Sequence, residues 1–226
     1  MNDRSDPQRG PQTDVTVQTE QAALPGILTV PDEATSLVLF AHGSGSSRFS
    51  SRNQFVAGVL NEATIATLLF DLLTSEEHAI DQRTRHLRFD IGLLSDRLVG
   101  AIDWAQRAEV TRSLNIGLFG ASTGAAAALI AATERPDVVG AVVSRGGRPD
   151  LAGRALRNVR APTLLIVGAL DIQVIELNRD AARELQAEQR IEIVPGASHL
   201  FEEPGTLEQA AALARDWFSE HLHRTP

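Results

Sequence analysis

The sequence predicts an α/β fold in which one mostly parallel, twisted sheet lies between two layers of helices. Short continuous apolar runs recur along the chain, which is typical of strands buried on both faces. Segments with apolar residues at helical spacing alternate with these runs. Strands that alternate with helices favour parallel pairing, because each helical crossover returns the chain to the same end of the sheet.

Each predicted element follows from a local pattern. Residues 15–19 alternate like an exposed edge strand, and residues 23–30 form its antiparallel partner, which Pro25-Gly26 is expected to interrupt with a turn or bulge. Further strands are predicted from apolar runs at 36–41, at 65–70, from Ile116 to Ser122, and at 138–143, 162–168 and 191–194. Helices are predicted at 53–61, 91–108, 174–185 and 206–221, and in the alanine-rich segment after Thr123. The charged segment 72–90 is predicted to be a loop with a short helix, and this small insertion leaves no room for a large cap domain.

Length and composition bound the class of protein. The 226 residues are 43% hydrophobic, so residues 15–226 are predicted to form a single domain behind a flexible tail at 1–14. The net charge of −8 argues against nucleic acid or an anionic membrane as a partner, and a homodimer is left open. Cysteine is absent, no apolar run approaches membrane-spanning length, and no signal-peptide pattern is seen, so a cytoplasmic location is expected.

A G-x-S-x-G motif is centred on Ser122. An apolar run precedes it and an alanine-rich segment follows, which predicts a strand, a sharp turn and a helix with Ser122 at the apex. In so tight a turn, a side chain at Gly120 or Gly124 would collide with a neighbouring strand or helix. The turn would expose the serine hydroxyl and aim the Thr123 amide toward any negative charge that forms nearby. The alternative is a plain tight turn without chemistry.

A serine, an acid and a histidine each follow a predicted strand. Ser122, Asp171 and His199 occur in this order along the chain. Because ligands bind beyond the carboxyl ends of strands in open α/β sheets, we expect these three side chains to meet. Their order is that of a nucleophile elbow with its triad partners. The non-catalytic alternatives are that Asp171 caps the following helix and that His199 is an ordinary surface histidine.

These motifs resemble those of the α/β-hydrolases, and more narrowly those of the small dienelactone-hydrolase-like branch. The resemblance extends from about Val15 to the C-terminus and rests on the segments at 40–45, 120–124, 168–171 and 196–199. Dienelactone hydrolases proper use a cysteine nucleophile, whereas this chain has Ser122. The resemblance therefore implies hydrolysis of small carboxylic esters or lactones by a serine enzyme without metal or cofactor.

Each residue of the expected site has a defined role in ester hydrolysis by a serine nucleophile. His199 would take the proton of Ser122 as it attacks a carbonyl carbon, and Asp171 would orient and stabilise the resulting imidazolium. The oxyanion would be held by the amides of Thr123 and Ser44. Further candidates for contact with the substrate are His42, Gly43 and Arg145. His42 is expected to shape the loop that carries Ser44 by hydrogen bonding rather than to exchange protons.

Several polar residues of the chain have structural alternatives. The Gly-Ser loop at 43–47 resembles a phosphate cradle but lacks the P-loop lysine and the Rossmann spacing. Asp71 is expected to be a structural cap. Arginines follow the strand at 138–143 and are expected to form a solvated face, at positions 145, 148, 154, 157 and 160. Arg145 is the exception, since it leaves its strand at the catalytic end and is hypothesised to contact an anionic substrate group.

Two other classes of function stay open beside the esterase. The same triad serves in acyl transfer to a thiol or amine and in thioester or peptide hydrolysis. A protein with this fold can also act as a binding or scaffolding module without catalysis.

Overall fold

A mixed sheet runs through residues 10–222, the part of the chain described in the computed structural model. Within these residues the sheet has eight strands in the order β1-β2-β4-β3-β5-β6-β7-β8. The strands are β1 (Gln12–Gln18), β2 (Ala23–Thr29), β3 (Ser36–Ala41), β4 (Ala66–Phe70), β5 (Asn115–Ala121), β6 (Val139–Arg145), β7 (Thr163–Gly168) and β8 (Gln189–Val194). The β1–β2 and β2–β4 pairs are antiparallel, and all later pairs are parallel. The mostly parallel sheet with an antiparallel N-terminal pair is confirmed.

Helices cover both faces of the sheet. The described helices are α1 (Ser51–Glu62), α2 (Ser75–Thr84), α3 (Ile91–Arg107), α4 (Thr123–Glu134), α5 (Ile172–Glu184) and α6 (Thr206–His221), with 3-10 helices at Leu87–Phe89 and Pro149–Asn158. Alternate residues of β3 enter different cores: Leu37 and Leu39 pack with α3 and α4, whereas Val38 and Phe40 pack with α1 and α6. No helix within residues 10–222 is long and apolar enough to cross a bilayer.

The structure corrects two expectations at the N-terminal end. Strand β1 begins at Gln12, so residues 12–14 belong to the sheet rather than to a tail, while residues 1–9 lie outside the described residues. Strand β2 continues through Pro25 and Gly26 without a break. The pairing of β2 with β4 begins only at Gly26, so the N–H that Pro25 lacks removes no hydrogen bond from that ladder.

The segment at 72–90 is more ordered than the sequence analysis expected. Its short helix is α2, a regular helix that begins with a capping box: Thr74 Oγ1 accepts from the Glu77 amide at 3.2 Å, and Glu77 Oε2 accepts from the Thr74 amide at 2.8 Å. Arg88 ties the following turn to α2 through the buried carboxylate of Asp81. Burial alone would raise the pKa of Asp81, but the hydrogen bonds from Arg88 hold it below its usual range.

The first turn of α4 packs directly against the end of β3. A Cβ atom at Gly124 would lie 2.2 Å from the carbonyl oxygen of Ala41 and 2.7 Å from that of His42. Both neighbours are backbone atoms, so no side chain can move aside to make room. This contact fixes the start of α4 beside the loop that follows β3.

We expect Gly124→Ala to destabilise the protein by about 1–3 kcal/mol, because the added methyl group forces α4 away from β3. Urea denaturation followed by circular dichroism measures the change. The matched control is Gly92→Ala in α3, where the nearest atom to the added Cβ is Asp90 Oδ1 at 3.4 Å. That control should be neutral or slightly stabilising, because alanine is the better helix former. An equal effect of the two substitutions would contradict the packing argument.

Candidate active site

Ser122 lies between β5 and α4 in a strained backbone conformation. Its φ and ψ angles are 51° and −121°, a region that L-residues with a Cβ atom rarely occupy. The turn is tight enough that a Cβ at Gly120 would lie 2.4 Å from Ala125 Cα. Strain of this kind costs on the order of 1–3 kcal/mol and persists where the surrounding packing imposes it. The sharp turn that the motif predicts is thus present.

Asp171 and His199 form a hydrogen-bonded pair beyond the ends of β7 and β8. His199 Nδ1 and Asp171 Oδ2 are 2.6 Å apart. Asp171 is the N-cap residue of α5, but its side chain accepts no hydrogen bond from that helix. The cap alternative therefore does not describe this carboxylate. A proton on Nδ1 shared with Asp171 leaves Nε2 as the nitrogen available to accept a proton.

Ser122 and His199 line the same pocket, which has a volume of about 260 Å³. Among the hydrogen bonds of the described residues, none joins the Ser122 hydroxyl to the His199 ring. Catalytic hydrogen bonds are often long in unliganded enzymes and tighten when substrate binds. Gly146 brings β6 close to the histidine, because a Cβ there would lie 3.0 Å from the His199 carbonyl oxygen.

Phe201 and Glu203, which follow His199 in the chain, hold its loop in place. Glu203 Oε2 accepts from the Ser198 amide at 3.0 Å, and this hydrogen bond lowers the pKa of Glu203. Phe201 is only 2% exposed and has a φ of 55°, so the loop is bent to insert this ring into the core. Sequence analysis missed both residues, because neither belongs to a motif that spacing reveals.

The loop after β3 is tied down by His42 and Asp71. His42 Nδ1 lies 3.0 Å from the Gly43 carbonyl oxygen, while Nε2 accepts from the Leu72 amide at 3.2 Å. Both ring nitrogens thus contact backbone atoms, and burial lowers the pKa of His42, which favours the neutral ring and agrees with the expected role in shaping this loop. Asp71 accepts from the Arg48 amide at 2.8 Å and pairs with the Arg48 guanidinium. It holds this loop and caps no helix.

The two amides that the sequence analysis expects to hold an oxyanion are those of Thr123 and Ser44. Neither the Thr123 N–H nor the Ser44 N–H has a hydrogen-bond partner in residues 10–222. Thr123 is the first residue of α4, where the helix dipole adds positive character. The backbone at Gly43 approaches the nucleophile closely, since a Cβ there would lie 3.1 Å from Ser122 Cβ.

Arg145 lies at the end of the sheet where the sequence analysis expects it, but its strand is longer than predicted. Strand β6 runs to Arg145 instead of ending at residue 143, so this arginine is part of the sheet and only 7% exposed. It lines the pocket that contains Ser122 and His199. Three of the other arginines in this cluster form ion pairs at or near the surface, through Arg148–Asp150, Arg157–Glu184 and Arg160–Asp137. Those three fit the expected solvated face, and Arg145 does not.

The described residues contain no cluster of three or more His, Asp or Glu side chains that could hold a metal ion.

The strand order and the serine turn after β5 define the chain as an α/β-hydrolase. More narrowly, residues 57–222 match the model of the dienelactone hydrolase family, and the chain belongs to that family. The crystal structure of a dienelactone hydrolase from Anabaena variabilis ATCC 29413 is 59% identical, covers 95% of this chain and 100% of its own, and superposes with a TM-score of 0.94. Est1E from Butyrivibrio proteoclasticus shares the fold at 15% identity, with a TM-score of 0.76 over 92% of this chain and 98% of its own.

Curated relatives in Mycobacterium tuberculosis are longer than this chain. They are named putative phosphoribosyl transferases and are 55% identical over 214 residues. The match covers 94% of this chain but 47% of theirs, so the chain spans about half the length of these relatives.

We expect Ser122→Gly to be more stable than Ser122→Ala by about 1 kcal/mol. Both substitutions remove the hydroxyl, but alanine keeps the Cβ that makes a φ of 51° unfavourable, whereas glycine adopts it without strain. Urea denaturation of the two variants measures the difference. Equal stability, or a more stable alanine variant, would show that the turn at Ser122 is unstrained.

We expect stability to fall with decreasing pH below about 6.5, in part because of His42. Its folded-state pKa is lowered, so below the ordinary value the unfolded chain takes up a proton that the buried ring resists. One such group contributes a slope of at most about 1.4 kcal/mol per pH unit. Urea denaturation between pH 7.5 and 5.5 should give a smaller loss in His42→Gln than in the native protein. Parallel curves across this range would rule out the contribution of His42.

Proposed function

We propose that the protein is a serine hydrolase that cleaves small carboxylic esters or lactones through an acyl-enzyme at Ser122. The observation that carries the proposal is the strained serine turn in a pocket it shares with His199, whose ring is 2.6 Å from Asp171. Membership of the dienelactone hydrolase family supports hydrolase chemistry.

The proposed reaction proceeds in two halves. His199 Nε2 accepts the Ser122 proton as the serine oxygen bonds to the carbonyl carbon, and then donates it to the departing alcohol oxygen. Water enters, loses a proton to the same nitrogen and bonds to the acyl carbon; the bond from that carbon to the Ser122 oxygen then breaks, His199 returns the proton to the serine oxygen, and the carboxylic acid leaves. Asp171 stabilises the imidazolium in both halves. The free amides of Thr123 and Ser44 hold the oxyanion, and each such donor is worth about two to three orders of magnitude in rate.

The pocket and its surroundings support small substrates. Its volume of about 260 Å³ is below the usual range for drug-sized ligands. The one insertion before the serine turn holds a short helix, α2, and no larger cap. A relative that is 59% identical is named a dienelactone hydrolase, which supports esters or lactones as the substrate class.

Two alternatives share these observations. The triad can transfer the acyl group to a thiol or amine, or hydrolyse a thioester or peptide, and product analysis with each acceptor distinguishes these reactions. A non-catalytic scaffold keeps the fold without an activated serine. Covalent labelling by a fluorophosphonate probe separates the scaffold from all the enzymes.

Other expectations from the sequence stay predictions. These are the single domain at 15–226, a cytoplasmic location, a small-molecule substrate with no nucleic-acid or membrane partner, and a homodimer as an open alternative.

We expect Ser122→Ala to reduce hydrolysis of p-nitrophenyl acetate by at least about a thousandfold, because the nucleophile is lost while the fold remains. Release of p-nitrophenol measures the rate, and circular dichroism checks folding. A fluorophosphonate should label the native protein at residue 122 and leave the variant unlabelled. Ser46→Ala, which removes another serine hydroxyl from the same pocket, is the control and should be labelled normally. A native protein that neither reacts with the probe nor cleaves the ester refutes the enzyme proposal.

A further inference from the structure

We propose that the pocket beside Ser122 contains an anion subsite formed by Arg145, Arg52 and the N-terminus of α1, so that the substrate carries a carboxylate or phosphate group. The inference rests on the proposed function and adds a substrate class to it. Its basis is the charge of the pocket and the unmet hydrogen-bonding capacity of a buried arginine.

Arg145 is a buried cation that no carboxylate neutralises. Nη2 donates to Asn53 Oδ1 at 3.2 Å, and Nη1 is buried with no hydrogen-bond partner in residues 10–222. The guanidinium lies 5.7 Å from the Phe119 ring centroid and 6.0 Å from that of Phe201. These ring contacts are weak compensation for a desolvated charge. Burial, and secondarily the positive charge of Arg52, lowers the pKa of Arg145 to about 10, so the cation lacks a stabilising anion.

The same pocket contains a second arginine and no acid. Arg52 lines it together with Arg145, and none of the lining residues is Asp or Glu. The Arg52 partner is Glu202, at 3.0 Å, whose side chain is 63% exposed to solvent. An ion pair so exposed to water neutralises little of the charge inside the pocket.

The N-terminal end of helix α1, which carries partial positive charge, also lines the pocket. Ser50, the N-cap of the twelve-residue helix α1, lines the pocket with Arg52 and Asn53. The first turn of α1 has no acidic residue. Partial positive charge from the helix dipole therefore adds to that of the two guanidinium groups.

In a neighbouring pocket, by contrast, acids of the protein neutralise the charges of the arginines. It has a volume of about 290 Å³ and lies behind the loop after β3. Its two arginines, Arg48 and Arg88, are paired with Asp71 and Asp81, which line the same pocket. Unlike this neighbour, the pocket with Ser122 is lined by two arginines and by no acid, and an anionic group on the substrate would supply the missing negative charge.

An anion held there would also position the ester. Charge-assisted hydrogen bonds to a guanidinium are directional, so a bound carboxylate or phosphate fixes one end of a small substrate. The scissile carbonyl is then held in one orientation toward Ser122. Because the bound substrate has less freedom to move, the rate of attack rises. Arg145 is thus a specificity-determining residue for the proposed reaction.

The test compares a neutral aryl ester with three esters that carry an anionic group. Phenyl acetate is the neutral reference, 4-acetoxybenzoate and 4-acetoxyphenyl phosphate place a carboxylate or phosphate on the alcohol side, and monophenyl succinate places a carboxylate on the acyl side. Release of phenol, 4-hydroxybenzoate or 4-hydroxyphenyl phosphate gives kcat/KM for each ester. We expect at least one anionic ester to exceed phenyl acetate by roughly tenfold or more. If phenyl acetate is cleaved as fast as all three, the subsite is refuted.

Variants assign the preference to its residues. Arg145→Gln should lower the ratio of anionic to neutral kcat/KM by about tenfold, and Arg52→Gln should lower it by a smaller factor. The second variant keeps the test decisive if Arg145→Gln does not fold. Arg157→Gln removes an exposed arginine paired with Glu184, away from the pocket, and should leave the ratio unchanged. A preference that survives both pocket substitutions refutes the assignment.

Binding without turnover separates this inference from the proposed function. Succinate and inorganic phosphate should raise the melting temperature of Ser122→Ala, and Arg145→Gln in that background should remove the shift. If no ester is cleaved but this shift is seen, the hydrolase proposal fails and the anion subsite stands. If esters are cleaved but neither anion binds and no charged ester is preferred, the subsite fails and the hydrolase proposal stands.

Discussion

The close contact between the first turn of α4 and the end of β3 is the constraint on which the site depends. Gly124 permits it, because any Cβ there would meet two carbonyl groups of the neighbouring backbone. The contact forces the chain to reverse within one residue, and Ser122 takes up the reversal at a positive φ. On the other side of the turn, the backbone at Gly43 approaches Ser122, since a Cβ there would lie 3.1 Å from Ser122 Cβ. The position of the proposed nucleophile therefore depends on close backbone packing on both sides.

A second set of contacts fixes the loops around this turn. His42 and Asp71 hold the loop after β3 from the direction of β4, using a neutral ring and a carboxylate that bond to backbone amides. Glu203 and Phe201 hold the loop of His199 from the direction of α6. Each loop is thus anchored by side chains that have no chemical role. Such anchoring lowers the cost of ordering the site when a substrate arrives.

The sequence was sufficient for those features that depend on local patterns. Spacing along the chain predicts the succession of strands and helices and the G-x-S-x-G turn. The rule that sites gather at strand ends then points to the acid and the histidine that follow their strands. Glu203 and Asn53 could not be found this way, because their roles depend on contacts across the fold. Arg145 shows the same limit. Its place after an apolar run was visible, but its burial depends on a strand that extends to residue 145.

The charges of the pocket connect the proposed chemistry with the proposed substrate. In the proposed reaction His199 becomes a cation, stabilised by Asp171, in a pocket that it shares with Arg145 and Arg52. A substrate anion placed among these cations adds a further negative charge in a partly buried site, where charges are poorly screened by water. A negatively charged ester would then be favoured twice, once in binding and once in the transition state, whereas a neutral ester would gain from neither effect.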